Sequence, residues 1–206
     1  FISSEDKNFY DHPGYDMRGI LAALVDAIQS RGKRIRGAST ITQQVMKNFL
    51  LDRSRRAERK VKEIILATRI ERSLSKEQIL ELYLNEIFLG QNSYGVTAAA
   101  QTYFNKTLDE LAPNEAAFLA ALPKAPSDYH PVREKNRLLE RRNYVLKEMF
   151  QNEYLSKEVY EYELTRPIRS VQGRDYAGFR SELPSRNYFT DEIRRQLSRT
   201  FGEEEF

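Results

Sequence analysis

The chain has 206 residues, 40% of them hydrophobic and 31% charged, with 33 Lys+Arg against 30 Asp+Glu and a formal net charge of +3. That much apolar and aromatic material (12 Tyr, 11 Phe) suits one folded domain, or one domain with a small appended lobe, and excludes a disordered tail. With no Cys and only His12 and His130, disulfides, thiolate nucleophiles and Cys-ligated metals are excluded, which leaves chemistry mainly to carboxylates, Arg, Lys and hydroxyls.

In chain order, residues 17–30 are mostly apolar, with Ile20, Leu21, Leu24, Val25 and Ile28 at the spacing of a buried helical face. A basic, Gly-punctuated connection follows over 31–37. Ser39 or Thr40 is then placed to cap a helix carrying Ile41, Val45, Phe49 and Leu50. Residues 55–73 form a very basic amphipathic helix with Val61, Ile64, Ile65 and Ile70 on its apolar side. Ser75 with Gln78 is a capping box, opening a helix through Ile79, Leu82, Tyr83 and Ile87 that stops at Gly90. Further helices are predicted over 94–104, 113–122, 132–150, 157–165 and 188–200, with Pro123, Pro126, Pro131 and Pro167 between them. Residues 169–184 read as a surface loop or part of a linker. Alternating strand patterns are nearly absent, so the expected class is all-α. The longest apolar run, Ala116 to Leu122, is far short of the roughly 20 residues that span a bilayer.

Four segments carry more chemistry than packing requires. Residues 5–14 hold Glu5, Asp6, Asp11 and His12 among aromatic rings, and a carboxylate desolvated there suits proton transfer. The same letters also suit a helix start dressed with acids. Residues 37–44, with Ser39, Thr40, Thr42, Gln43 and Gln44, followed by Lys47, offer hydroxyls and amides at a helix start to phosphate or sugar oxygens. A plain cap explains Ser39 and Thr40 but not the glutamines and lysine together. In residues 55–63, Arg59 and Lys60 stand four and three positions before Glu63, where they either grip a polyphosphate or form exposed ion pairs. Residues 76–90 read mainly as a core helix, with Tyr83 and Asn85 as its inward polar groups. Arg141-Arg142-Asn143-Tyr144-Val145-Leu146 reads as a packed helix with one basic edge.

Taken in this order, the segments resemble the five motifs of the peptidoglycan glycosyltransferases (glycosyltransferase family 51), which include the glycosyltransferase domain of class A penicillin-binding proteins. The matching residues are Glu5, Asp6, Phe9, His12 and Gly14; Gly37 and Ser39 to Gln44; Arg59, Lys60 and Glu63; Lys76, Ile79 to Glu81, Tyr83 to Asn85 and Gly90; and Arg141, Arg142, Val145 and Leu146. The resemblance implies a lysozyme-like large lobe with a smaller jaw lobe toward the membrane. It implies a glycosyltransferase domain over 1–187, while 188–206 look like the start of a linker toward a transpeptidase domain.

The implied reaction polymerises lipid II, the growing glycan chain on undecaprenyl pyrophosphate being the donor and the 4-hydroxyl of lipid II the acceptor, with inversion at C1. Glu5 is then the expected general base. Lys47, Arg55, Arg59 and Lys60 are the expected cations for the departing pyrophosphate. Glu63, the second acid, would orient those cations or help hold a divalent ion (Mg or Mn). Ser39, Thr40, Gln43 and Gln44 would line the cleft, with Asp6, Phe9, His12, Gly14 and Asn85 in support. The resemblance also implies inhibition by moenomycin and a site of action on the outer face of the cytoplasmic membrane, with an N-terminal anchor helix preceding the chain. Phe49-Leu50-Leu51 beside Arg53, Arg55 and Arg56 is the candidate lipid-facing piece, although core packing suits the same residues. Two other readings are a muramidase or lytic transglycosylase, which needs no pyrophosphate grip, and a helical nucleic-acid-binding module. The near balance of acids and bases weighs against nucleic acid as a partner.

Overall fold

The computed structural model describes residues 1–29, 39–49 and 56–178, with helices α1 (Ile2–Glu5), α2 (Met17–Gln29), α3 (Ile41–Phe49), α4 (Arg56–Ile70), α5 (Lys76–Glu86), α6 (Val96–Phe104), α7 (Pro113–Ala121), α8 (Lys135–Gln151) and α9 (Lys157–Thr165). Among the described residues the only β pairing is an isolated bridge between Phe88 and Tyr94, so the fold is all-α as expected.

The centre is α7. After its first turn its sequence, Ala116 to Ala121, is apolar on every side, and a helix of that kind is stable only when surrounded. Ala117, Phe118, Leu119, Ala120 and Ala121 are all buried, and the helix packs on α6, α8 and α9. Pro113 supplies the preset first turn, and the Glu115 carboxylate turns back to accept the Ala112 N–H at 2.9 Å. Around it, Tyr103, Phe104 and Phe118 form an aromatic cluster with edge-on contacts at 5.1 Å. A second packing unit joins α3 to α4 and α5, and α1 lies on α8. The capping box at α5 is formed as its sequence requires, Ser75 accepting from the Gln78 N–H and the Gln78 side chain accepting from the Ser75 N–H.

Two expectations are corrected. The apolar side of α2 is not a buried face: Met17, Leu21, Val25 and Ile28 are 55, 56, 50 and 69% exposed. On α4 the apolar stripe is likewise turned outward at Val61 and Ile65, while Glu63 and Ala67 occupy the buried side. Periodicity identifies a stripe but not what lies against it, and here α3 needs the polar side of α4. The described part of 169–184 is a turn-rich surface loop, as expected, and it is tied into the fold. Ile168 and Ser170 are buried, the Val171 N–H donates to the Tyr103 carbonyl at 2.8 Å, and the Tyr176 hydroxyl donates to Glu115 at 2.7 Å. The fold therefore continues past α9. The helix expected at 188–200 lies outside the described residues.

Candidate active site

The loop after α1 and the start of α3 are joined by side chains that carry little but hydrogen bonds. Asp6 is buried and accepts the Ile41 N–H at 2.8 Å, an otherwise orphaned donor of the first turn of α3. Its two oxygens also face His12 Nε2 at 2.9 and 3.0 Å. The Gly14 N–H donates to His12 Nδ1 at 3.2 Å, so the ring proton sits on Nε2 and points at Asp6. Thr40 closes the loop from the other side, its hydroxyl donating to the Gly14 carbonyl at 2.7 Å and accepting the Gln43 N–H at 3.2 Å as the cap of α3. Gly14 has φ +93°, and a Cβ there would stand 2.8 Å from the Ala67 backbone, so only glycine allows this approach. Lys76 locks the same loop, donating to the His12 carbonyl at 2.6 Å and to Glu71 at 2.8 Å over the Phe9 ring at 4.7 Å. Thr42 donates to the same Glu71 oxygen at 2.6 Å.

That scaffold presents Glu5, the last residue of α1. One carboxylate oxygen accepts from Gln44 Nε2 at 3.2 Å and the other faces Arg141 Nη2 at 3.3 Å, with only 14% of the Glu5 side chain exposed. Burial raises its pKa above the usual carboxylate value, opposed by the Gln44 hydrogen bond and then by the charges of Arg141 and Lys124. A carboxylate so placed is a stronger base than one in water, yet has cations at hand to keep its ionised form accessible.

On the adjacent residue of α3 a cationic cluster begins. Lys60 Nζ donates to Ser39 Oγ at 2.8 Å, Gln43 Oε1 at 2.9 Å and Glu63 Oε2 at 3.2 Å. Arg59 Nε stands 3.3 Å from the other Glu63 oxygen. Glu63 is buried and the two cations are partly exposed, so the acid orients positive charge toward solvent. Such a group can neutralise negative charge that grows on a ligand. Gln44 bonds the acid and Gln43 bonds the cluster, so one turn of α3 carries both halves of the site.

The other expected residues fall out differently. Thr40 is buried and spent on the cap and on Gly14, so it is corrected from a cleft-lining to a structural role, since its hydroxyl has no hydrogen left to donate. Phe9 is buried beneath Lys76. Lys47 is exposed on the last turn of α3 and Asn85 is exposed on α5, outside both clusters; Asn85 contributes instead its carbonyl, against which Gly95 packs. Arg55, Gly37, the basic run 31–36 and the lipid-facing candidates Leu50, Leu51 and Arg53 lie outside the described residues, as do the side chains of Phe49 and Arg56. Arg141, expected on the basic edge of a packed helix, touches Glu5 from 136 residues away, a contact no local pattern signals. A divalent ion at Glu63 does not fit the residues present: both carboxylate oxygens face cations, and no group of three or more His, Asp or Glu suited to a metal occurs among the described residues. A separate cavity of about 350 Å³ between α7, α9 and residues 165–176 contains none of these side chains.

The chain matches the family described as Transglycosylase over residues 1–150. It is 48% identical to penicillin-binding protein 1A of Haemophilus influenzae over 99% of this chain and 23% of that protein. To the protein of the same name from Rickettsia felis it is 46% identical, over 100% of this chain and 26% of the relative. To that of Escherichia coli it is 43% identical, over 98% and 23%. The chain thus spans about a quarter of the length of the curated relatives it matches. A crystal structure of the Haemophilus influenzae protein aligns with 80% of this chain and 20% of its own at 40% identity and a TM-score of 0.46.

Proposed function

Because this chain belongs to the transglycosylase family, we propose that it polymerises lipid II into β-1,4 glycan strands, with Glu5 as general base and the Lys60, Arg59 and Glu63 cluster facing the pyrophosphate. It is a peptidoglycan glycosyltransferase. The observation that carries the finer reading is the shared turn of α3, where Gln44 holds the buried acid and Gln43 holds the cations.

In the reaction, the 4-hydroxyl oxygen of the acceptor sugar attacks C1 of the donor while Glu5 takes the hydroxyl proton. The bond from C1 to the pyrophosphate oxygen breaks, and its electron pair leaves on undecaprenyl pyrophosphate. Attack opposite the leaving group turns the α link into a β link without a covalent sugar–enzyme intermediate. Pyrophosphate is already a fair leaving group, so positive charge serves better than a second proton donor. Arg59 is suited to phosphate oxygens through its planar fork and Lys60 through a point charge. Ser39, bonded to Lys60, belongs to this group, and Lys47 stands one turn further along α3.

The exposed apolar stripe of α2, beside the exposed Arg18, suits an anionic membrane surface. The described helices include none long and apolar enough to cross a membrane. We place the chain at the outer face of the cytoplasmic membrane, where its lipid-linked substrates lie. The parent protein would carry an N-terminal anchor and, after a linker from about 188, a transpeptidase domain; moenomycin would compete with the donor.

The test is a lipid II polymerisation assay on the unsubstituted protein and on Glu5→Gln, each with and without chelator, and with purified glycan strands in parallel. Polymer from the former only, unaffected by chelator, is the expected result. Normal polymerisation by Glu5→Gln would remove Glu5 as base, and release of fragments from glycan strands would favour a cleaving enzyme.

A further inference from the structure

Consecutive arginines on α8 do different work. Arg142 is fully buried, donating to the Arg166 carbonyl and to Asn143 Oδ1, both at 2.9 Å. It ties α8 to the segment after α9. Arg141 points the other way, toward α1, with 12% of its side chain exposed. Its guanidinium lies 4.7 Å from the centre of the Tyr144 ring, one turn further along the same helix, and its Nη2 is 3.3 Å from Glu5 Oε1. Backed by an aromatic face and carried on a 17-residue helix, this charge is preorganised.

The other groups around Glu5 do not substitute for it. Gln44 from α3 is neutral and occupies Oε2. Asp6, the next residue, has its carboxylate committed to His12 and the Ile41 N–H. Tyr83 from α5 is a buried phenol without a hydrogen-bond partner among the described residues, held neutral by burial and by the charges of Glu5 and Asp6. Lys124, from the turn after α7, acts on Glu5 only through its field. Arg141 is the one cation among the described residues that contacts the carboxylate. The contact is single and long, so it orients Glu5 and favours its ionised form without taking both oxygens, as a bidentate pair would.

We infer that Arg141 is a positioning residue for the base: its contact with Glu5 Oε1 keeps that carboxylate ionised and aimed at the incoming hydroxyl. The inference rests on Glu5 being the base. It predicts a loss that depends on pH, which a mere staple between α1 and α8 would not show. Without the guanidinium, burial acts on Glu5 less opposed, so the acidic limb of the kcat profile moves to higher pH.

The experiment compares lipid II polymerisation across pH for the unsubstituted protein, Arg141→Met and Arg141→Lys, with Glu5→Gln as reference and a thermal melt of each. Arg141→Met is expected to lose about tenfold or more in kcat below the limb and to return to within about threefold above it, while KM changes little. Arg141→Lys should restore part of the shift. Carbon-13 NMR titration of the Glu5 carboxyl in Arg141→Met should move in the same direction, and this holds even for a variant too slow to assay. A uniform loss at every pH, with the Glu5 titration unmoved and Glu5→Gln inactive, overturns the inference and leaves the base assignment standing. Full activity of Glu5→Gln overturns the base assignment itself.

Discussion

Replacing Asp6 by alanine removes the acceptor that holds the loop of the base against α3. Two buried donors lose their partner, the Ile41 N–H at 2.8 Å and the His12 Nε2–H at 2.9 Å. A buried donor left unsatisfied costs about 1–3 kcal/mol, and both Asp6 and His12 are buried too deeply for water to replace the carboxylate fully. Together the two come to about 2–6 kcal/mol, centred near 4. For a domain of this size each kcal/mol lowers the melting temperature by about 2–4 °C, so Asp6→Ala should melt roughly 10 °C below the unsubstituted protein. Asp6→Asn keeps one acceptor, which serves Ile41, but its amide group then faces the His12 proton. Relieving that clash moves the ring proton to Nδ1, against the Gly14 N–H, so Asn should cost about half as much as Ala. Calorimetry of the three proteins measures this directly, with lipid II polymerisation in parallel, because Glu5 precedes Asp6 and loses its register when the loop loosens. A drop of less than 2 °C for Asp6→Ala, or an Asn variant worse than Ala, would refute this account of what holds the base in place.

Glu5→Gln should be not only inactive but more stable than the parent at neutral pH. Burial raises the Glu5 pKa in the fold, so the stability its neutral form contributes is present below the unfolded value of about 4.3 and is lost as pH rises through the folded value. Melting curves should therefore separate at pH 7 and converge below pH 4; no separation at pH 7 would count against the burial of Glu5. Gly14→Ala meets both a φ of +93° and the Ala67 backbone at 2.8 Å, and should lower the unfolding free energy read from denaturant titration by more than about 2 kcal/mol; a neutral result would mean that the approach of loop and α4 is loose. Leu21→Asp with Val25→Asp, both exposed, should leave the melting temperature within about 2 °C while reducing sedimentation with anionic lipid vesicles at least fivefold. Unchanged vesicle binding would take α2 out of the membrane contact.

Local chemistry made much of this molecule readable before any coordinates. Ser75 and Gln78 specify a capping box because both partners lie within one turn, and the start of α5 needs nothing else. Likewise, Arg59, Lys60 and Glu63 are neighbours on any helix, so their pairing follows from spacing alone. The apolar letters of α2 and α4 are equally plain, yet not what lies against them, since an amphipathic helix shows the same pattern whether it meets a core or a ligand surface. Thr40 looked like a ligand group until the Gly14 carbonyl took its proton. Arg141 looked like surface charge until α1 folded onto α8. What the order of residues determined by itself was helical class, caps, and which side chains were rich enough in chemistry to matter. Only the tertiary structure decided which of them meet, because contacts between distant segments depend on how whole helices pack, and no short window of sequence contains that.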